Sequence, residues 1–207
     1  MKPAVKYLVL AVASVLALLA AAPAAPAGER GGRTLDLRRL TFSDADGNVV
    51  RSTDFAGKWL LAYFGYSHCA DLCPTGLSVL ANALDQIGAA AEHIQPLFIT
   101  VDPERDKGAI LRSFPKAFDQ RMIGLGGSVE QIKAAAEAFG VSFQKVAAGD
   151  WDYVVDHTSS YTLVDPSRTE AETLREAEPH LLAAKLIAAL SKRGVVLDNV
   201  NNVGAYR

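Results

Sequence analysis

Hydrophobic positions along this chain fall into two alternating patterns. Residues 59–66, Trp-Leu-Leu-Ala-Tyr-Phe-Gly-Tyr, are an unbroken apolar run bounded upstream by Gly57-Lys58. Such a run predicts a central strand buried on both faces. Residues 97–101 read as a second buried strand ending at Asp102-Pro103, and 122–125 as a short third. Between them the spacing turns helical. Leu77, Leu80, Leu84 and Ile87 recur at helical intervals, with Pro74 in the first turn and Gly88 as the stop. Residues 107–118 predict another helix. Ser128-Val129-Glu130-Gln131 is a capping box opening one that runs to Phe139. Later strands are expected at 141–146 and 160–164, with Asp165-Pro166 as a turn. A last amphipathic helix at 179–193 carries Leu181, Leu182, Leu186, Ile187 and Leu190. At the front, 34–42 alternates apolar and polar residues, and Asp46-Gly47-Asn48 precedes Val49-Val50, which predicts an N-terminal β-hairpin. The charged stretch 167–178 and the tail 194–207 carry no clear signal. Alternating strands and helices imply an α/β fold, a central mixed β-sheet flanked by helices.

The N-terminus changes the picture of where this fold resides. Lys2 and Lys6 precede a charge-free stretch, 7–27, rich in Ala, Leu and Val, and Ala25-Pro26-Ala27 is an A-x-A-like cleavage site. That is the layout of a secretory signal. The uninterrupted part, 7–22, is 16 residues long. A spanning helix wants about 20 apolar residues, so both cleavage and retention as an inner-membrane anchor are open. No cysteine follows the apolar run, which excludes a lipoprotein anchor. Residues 28–33 read as a linker, 34–193 as the folded domain. Removing residues 1–27 leaves 180 residues, enough for one good core, with 19 basic and 23 acidic side chains. A net charge of −4 gives no electrostatic footprint for nucleic acid.

Candidate chemistry centres on the chain's two cysteines, Cys69 and Cys73, between the central strand and the helix containing Pro74. Strand, cysteine pair, helix is the thioredoxin-type arrangement, with the active loop at the carboxyl end of a central strand. Residues four apart on a helical turn lie about 6 Å apart at Cα, within reach of one disulfide or one metal ion. The helix N-terminus is expected to favour the thiolate. An exported protein often uses a lone pair as a structural disulfide, and the spacing departs from the C-x-x-C of general oxidoreductases. Structural disulfide, redox couple and soft-metal site all remain open on spacing alone. A metal site needs a third donor, and the chain has four histidines. His93 and His180 read as surface residues. His68 abuts Cys69, but neighbours at a strand end point oppositely, which suggests a structural or supporting role. His157 lies 88 positions after Cys69, just before an expected strand, where its loop can fold back beside the cysteines. Sequence alone leaves it between ligand and ordinary histidine.

Three stretches together resemble the Sco (SCO1/SenC) family. The first is Tyr63-Phe64-Gly65-Tyr66-Ser67-His68-Cys69-Ala70-Asp71-Leu72-Cys73-Pro74-Thr75, with Gly57-Lys58 upstream. The second is Val101-Asp102-Pro103-Glu104-Arg105-Asp106. The third is Asp156-His157-Thr158-Ser159 followed by Tyr161-Thr162-Leu163-Val164-Asp165-Pro166. They stand in family order across about residues 35–190. The resemblance implies a thioredoxin-like fold binding one copper ion, Cu(I) or Cu(II), through Cys69, Cys73 and His157. Soft thiolates with imidazole suit Cu(I). Asp71 becomes a candidate for tuning or transfer, or for capping the loop. Asp156 is a candidate for orienting the His157 loop, with a plain exposed carboxylate as the alternative. Two departures stand out. Ala70 replaces the proline common after the first cysteine, and Ser167-Arg168-Thr169-Glu170 replaces the usual Asp-Pro-x-Gly turn and following strand. The edge after Val164 is therefore in doubt.

The function implied is a copper metallochaperone of the bacterial periplasm. Its recipient would be the dinuclear copper centre of cytochrome c oxidase subunit II or another copper-accepting protein. Other periplasmic copper chaperones or thiol oxidoreductases are further expected partners. A thiol-disulfide reductase, with Cys69 and Cys73 as the redox-active pair, is the competing class. It needs no His157. A copper or redox sensor is a third. A peroxidase fits less well, because no Thr-x-x-Cys arrangement is present.

Overall fold

Every residue of the strand Trp59–Gly65 is buried, so only the middle of a sheet can hold it. The computed structural model describes residues 37–149 and 153–195, all within the compact unit Leu35–Arg207. The expected signal 1–27, the linker 28–33 and the tail from 196 lie outside the described residues. The strands in chain order are β1 (Thr41–Ser43), β2 (Val49–Arg51), β3 (Trp59–Gly65), β4 (Ile94–Thr100), β5 (Ile123–Leu125), β6 (Phe143–Ala147), β7 (Tyr153–His157), β8 (Tyr161–Val164) and β9 (Ala171–Leu174). The helices are α1 (Leu72–Gln86), α2 (Ala109–Lys116), α3 (Val129–Phe139) and α4 (Pro179–Lys192).

Five strands form the central sheet in the order β5-β4-β3-β8-β9. β3 runs parallel to β4 and antiparallel to β8, so the sheet is mixed, as expected. Parallel pairing requires a crossover, and α1 with the 3-10 segment Gly88–His93 supplies the one between β3 and β4. The buried residues Leu77, Leu80 and Leu84 of α1 and Leu182, Leu186 and Leu190 of α4 belong to one core, and the two helices pack together. This is a thioredoxin-like α/β fold. The N-terminal hairpin β1–β2 is present, shorter than the pattern suggested, and Ser43 bridges to Gly126 through two hydrogen bonds of 2.8 Å. The capping box is present as read: Gln131 N donates to Ser128 Oγ at 3.2 Å and Ser128 N to Gln131 Oε1 at 2.8 Å.

The doubtful edge after Val164 does carry a strand. β9 pairs antiparallel with β8, Val164 opposite Ala171. The turn between them works without glycine. Arg168 takes the left-handed conformation, φ +60°, and buries its guanidinium. That group donates to the carbonyls of Ser52 (3.1 Å), Lys58 (2.8 Å), Asp165 (2.8 Å) and Phe55 (2.7 Å). The strain of a non-glycine residue at positive φ is offset by four charge-assisted hydrogen bonds. They tie the turn to the segment entering β3.

A second difference concerns His157. It is the last residue of β7, which pairs with β6 in a separate two-stranded sheet, and not part of a loop.

Candidate metal centre

β3 ends at Gly65, and the chain turns through Tyr66-Ser67-His68 before α1 begins at Leu72. Cys69 lies in this loop, half-buried, and Cys73 lies in the first turn of α1, fully buried. Cys73 N donates to Cys69 Sγ at 3.3 Å, so the helix turns one sulfur over the start of the other's backbone. Tight packing holds this geometry. A Cβ on Gly65 would meet Cys73 Sγ at 3.1 Å, and one on Gly76 would sit 2.6 Å from the Tyr63 hydroxyl.

The hairpin β6–β7 brings in the third group. His157 Nε2 lies 3.2 Å from Cys73 Sγ, and its Nδ1 lies 3.1 Å from the Thr158 carbonyl. A carbonyl only accepts, so Nδ1 carries the proton and Nε2 presents its lone pair toward the sulfurs. Burial lowers the His157 pKa from 6.5, against the opposing pull of the Thr158 carbonyl and Asp156. The ring is neutral at pH 7, as a metal ligand requires. Tyr66 meets it edge-on, centroids 5.9 Å apart.

Cys69, Cys73 and His157 thus offer three donor atoms within 4.8 Å of one another. No other His, Cys, Asp or Glu group among the described residues is placed to hold a metal. The expectation for thiol acidity needs correcting at Cys73. Burial pushes its pKa up, with Cys69 and Asp106 adding in the same direction, and the opposing hydrogen bond with the Tyr66 backbone does not overcome this. A cation bound there displaces the Cys73 proton. Two thiolates and a neutral imidazole, enclosed on the Cys73 side and open at Cys69, form a donor set for one soft cation.

The other sequence candidates sit around this cluster. His68 is exposed, its Nδ1 3.0 Å from Ser67 Oγ and 4.0 Å from Asp106. Asp71 occupies the N-cap position of α1, exposed, with no capping hydrogen bond from its side chain. Asp156 is exposed beside His157 and faces Gln144 across the hairpin. His93 and His180 lie in the Gly88–His93 segment and in α4, outside the cluster. A further group was not singled out as functional. Asp106 holds the cysteine loop, Asp102 and Arg105 hold the hairpin, and only the motif Asp102-Pro103-Glu104-Arg105-Asp106 signals them. Tyr153, which they hold, carries no signal in the sequence.

The SCO1/SenC family profile matches residues 33–192. A curated relative, "Protein SCO1 homolog 1, mitochondrial" of Arabidopsis thaliana, is 41% identical over 122 residues, 58% of this chain and 36% of that protein. "Protein SCO2 homolog, mitochondrial" of Bos taurus is 39% identical over 147 residues, 65% of this chain and 54% of that protein. The chain thus spans about a third to a half of the length of these relatives. Among solved structures, copper-bound Arabidopsis thaliana ScoI is 33% identical with a TM-score of 0.68, covering 74% of this chain and 96% of the other. Copper-bound yeast Sco1 is 29% identical with a TM-score of 0.66, covering 73% and 86%.

Proposed function

This chain belongs to the SCO1/SenC family, and from that membership and its Cys-Cys-His cluster we propose that it is a copper metallochaperone. One copper ion per chain is the cargo, held by Cys69, Cys73 and His157. The observation that carries this reading is the convergence of three soft-metal donor atoms within 4.8 Å, from two separate elements of the fold. The copper-bound structures of similar proteins support the choice of metal. Delivery proceeds by ligand exchange. An incoming acceptor thiolate replaces one donor at a time, and each displaced cysteine regains a proton. His157, a neutral donor on its own hairpin, is the easiest to release, and half-buried Cys69 is the sulfur an acceptor reaches first.

The acceptor we propose is cytochrome c oxidase subunit II, whose dinuclear copper centre is loaded during assembly. The compartment is the bacterial periplasm, with residues 1–27 as signal or tether. Similar proteins are mitochondrial or bacterial, and no helix among the described residues is long and apolar enough to cross a membrane. The test is metal stoichiometry after Cu(I) loading. One copper per chain is expected, lost in Cys69→Ser and Cys73→Ser and bound much more weakly in His157→Ala. Full retention in those variants contradicts the reading.

The contrast between half-buried Cys69 and buried Cys73 also favours a second reading, a thiol-disulfide reductase in which Cys69 attacks and Cys73 resolves. That activity needs no imidazole at 157. Reduction of a disulfide-bonded acceptor peptide that survives His157→Ala supports it, and complete loss rejects it.

A further inference from the structure

Both halves of the metal cluster are fastened to the same five residues. Asp102-Pro103-Glu104-Arg105-Asp106 follows β4, meeting the cysteine loop on one side and the β6–β7 hairpin on the other. Asp106 is buried and accepts from Ser67 N (2.9 Å), the Ser67 hydroxyl and the Thr100 hydroxyl (2.8 Å). It therefore fixes the backbone two residues before Cys69.

The other charged members of the turn hold the hairpin. Arg105 Nη1 donates to the Tyr153 carbonyl at 3.2 Å, and its guanidinium carbon lies 3.8 Å from the centroid of the Tyr153 ring. The Tyr153 hydroxyl donates to Asp102 Oδ1 at 2.8 Å, and Arg105 Nε donates to the other oxygen of that buried carboxylate. Glu104 pairs with Lys145 of β6 at 2.7 Å, and the Lys145 ammonium lies 4.2 Å from the same ring. Arg105 also approaches Tyr66 at 5.9 Å, whose ring in turn meets the imidazole.

The placement matters because of what the hairpin lacks. Among the described residues β6 and β7 pair only with each other, and four of the five residues of β6 are exposed. A lone two-stranded hairpin is marginal in water, so anchors outside it decide where it sits. Val155 enters the core, and the 102–106 turn grips Tyr153. Tyr153 is the first residue of β7 and His157 the last. Five residues of paired strand connect the grip to the ligand.

We propose that the 102–106 turn is the clamp that sets His157 against the two sulfurs, with Arg105 as its central positioning residue. This rests on the copper-site reading above. Asp106 ties only the loop before Cys69, which β3 and α1 already bracket, whereas the imidazole comes from a separate sheet and depends on the rest of the turn.

A double-mutant cycle on the full chain tests it, reading Cu(I) affinity by competition with the chromogenic chelator bicinchoninate. Arg105→Met should weaken affinity about tenfold in the native background, the size of loss typical when a ligand's orienting partner is removed. In the His157→Ala background the same change should cost under about twofold, because the ligand it positions is gone. Tyr153→Phe, which removes only the hydroxyl on Asp102, should follow the same pattern with a smaller loss and keep the fold should Arg105→Met unfold it. In Cu(II)-loaded protein, nitrogen hyperfine coupling from the imidazole should weaken in both variants. Arg168→Met, remote from the hairpin, is the control for general destabilisation and should leave both signals unchanged. Equal losses in the two backgrounds, or none, overturn the clamp while leaving the copper site standing. If His157→Ala itself leaves affinity unchanged, the ligand set fails and the clamp with it.

Discussion

Cys69 and Cys73 are identical side chains four positions apart, and the fold gives them different chemistry. Cys73 is buried against Gly65, and burial holds its proton on. Cys69 stays half-buried at the mouth of the loop. In the metal-free reduced protein, iodoacetamide should therefore alkylate Cys69 at least about tenfold faster than Cys73, read by peptide mass spectrometry. Equal rates would contradict the burial argument. Gly76 makes a second prediction at this scale. A methyl there meets the Tyr63 hydroxyl at 2.6 Å, and the Tyr63 ring is fully buried with the Tyr161 ring 5.4 Å from it, so it has little room to move. Gly76→Ala should destabilise the apoprotein by about 1–3 kcal/mol in urea titration, the usual cost of overpacking. For His157 the motif Asp156-His157-Thr158-Ser159 signals a candidate ligand but not how the ring is aimed. Its lone pair is aimed by the Thr158 carbonyl and its position by Tyr153, contacts that only the folded hairpin creates.

Elements differ in how plainly the chain announces them. β3 and β4 were legible because strands buried on both faces are built on apolar runs, α1 and α4 because their apolar positions recur at helical spacing, and α3 because a capping box opens it. β9 was not, since three of its four residues are exposed and only pairing with β8 makes them a strand. The turn before it is equally hidden, because a buried arginine at positive φ has no sequence signature. Arg168→Met should cost at least about 2 kcal/mol in chemical denaturation, because four carbonyls lose a charged donor. Asp165 in this turn gives a pH test. Burial pushes its pKa up, but hydrogen bonds from Ser167, Glu170 and Thr169 outweigh that and leave it below the usual 3.8. A depressed folded pKa adds stability that is fully present above the unfolded value and is lost as pH falls through the folded one. Asp165→Asn should thus lower the melting temperature more at pH 7 than at pH 3. An equal decrease at both would show that the carboxylate charge plays no part.

Across the whole molecule, the loop and helix that follow the central strand carry the thiols and a separate two-stranded hairpin carries the imidazole. That division suits a carrier, which must hold its cargo and also let go of it. The fold class and the grouping of Cys69, Cys73 and His157 as candidate donors were within reach of the sequence, because both cysteines sit in one motif and His157 in another. What joins them was not, because the 102–106 turn acts through contacts with residues as far apart as Ser67 and Tyr153. If residues 1–27 are a signal, N-terminal sequencing of the exported protein should begin at Gly28, and a start at Met1 in membrane fractions would indicate a retained anchor. The central claim is that copper is held by two sulfurs and one imidazole nitrogen. Copper K-edge X-ray absorption of the Cu(I)-loaded chain tests it most directly. The fitted first shell should contain two sulfurs and one nitrogen, with the nitrogen and its imidazole outer-shell scattering lost in His157→Ala. A wild-type spectrum with sulfur alone, or one unchanged by His157→Ala, would contradict it.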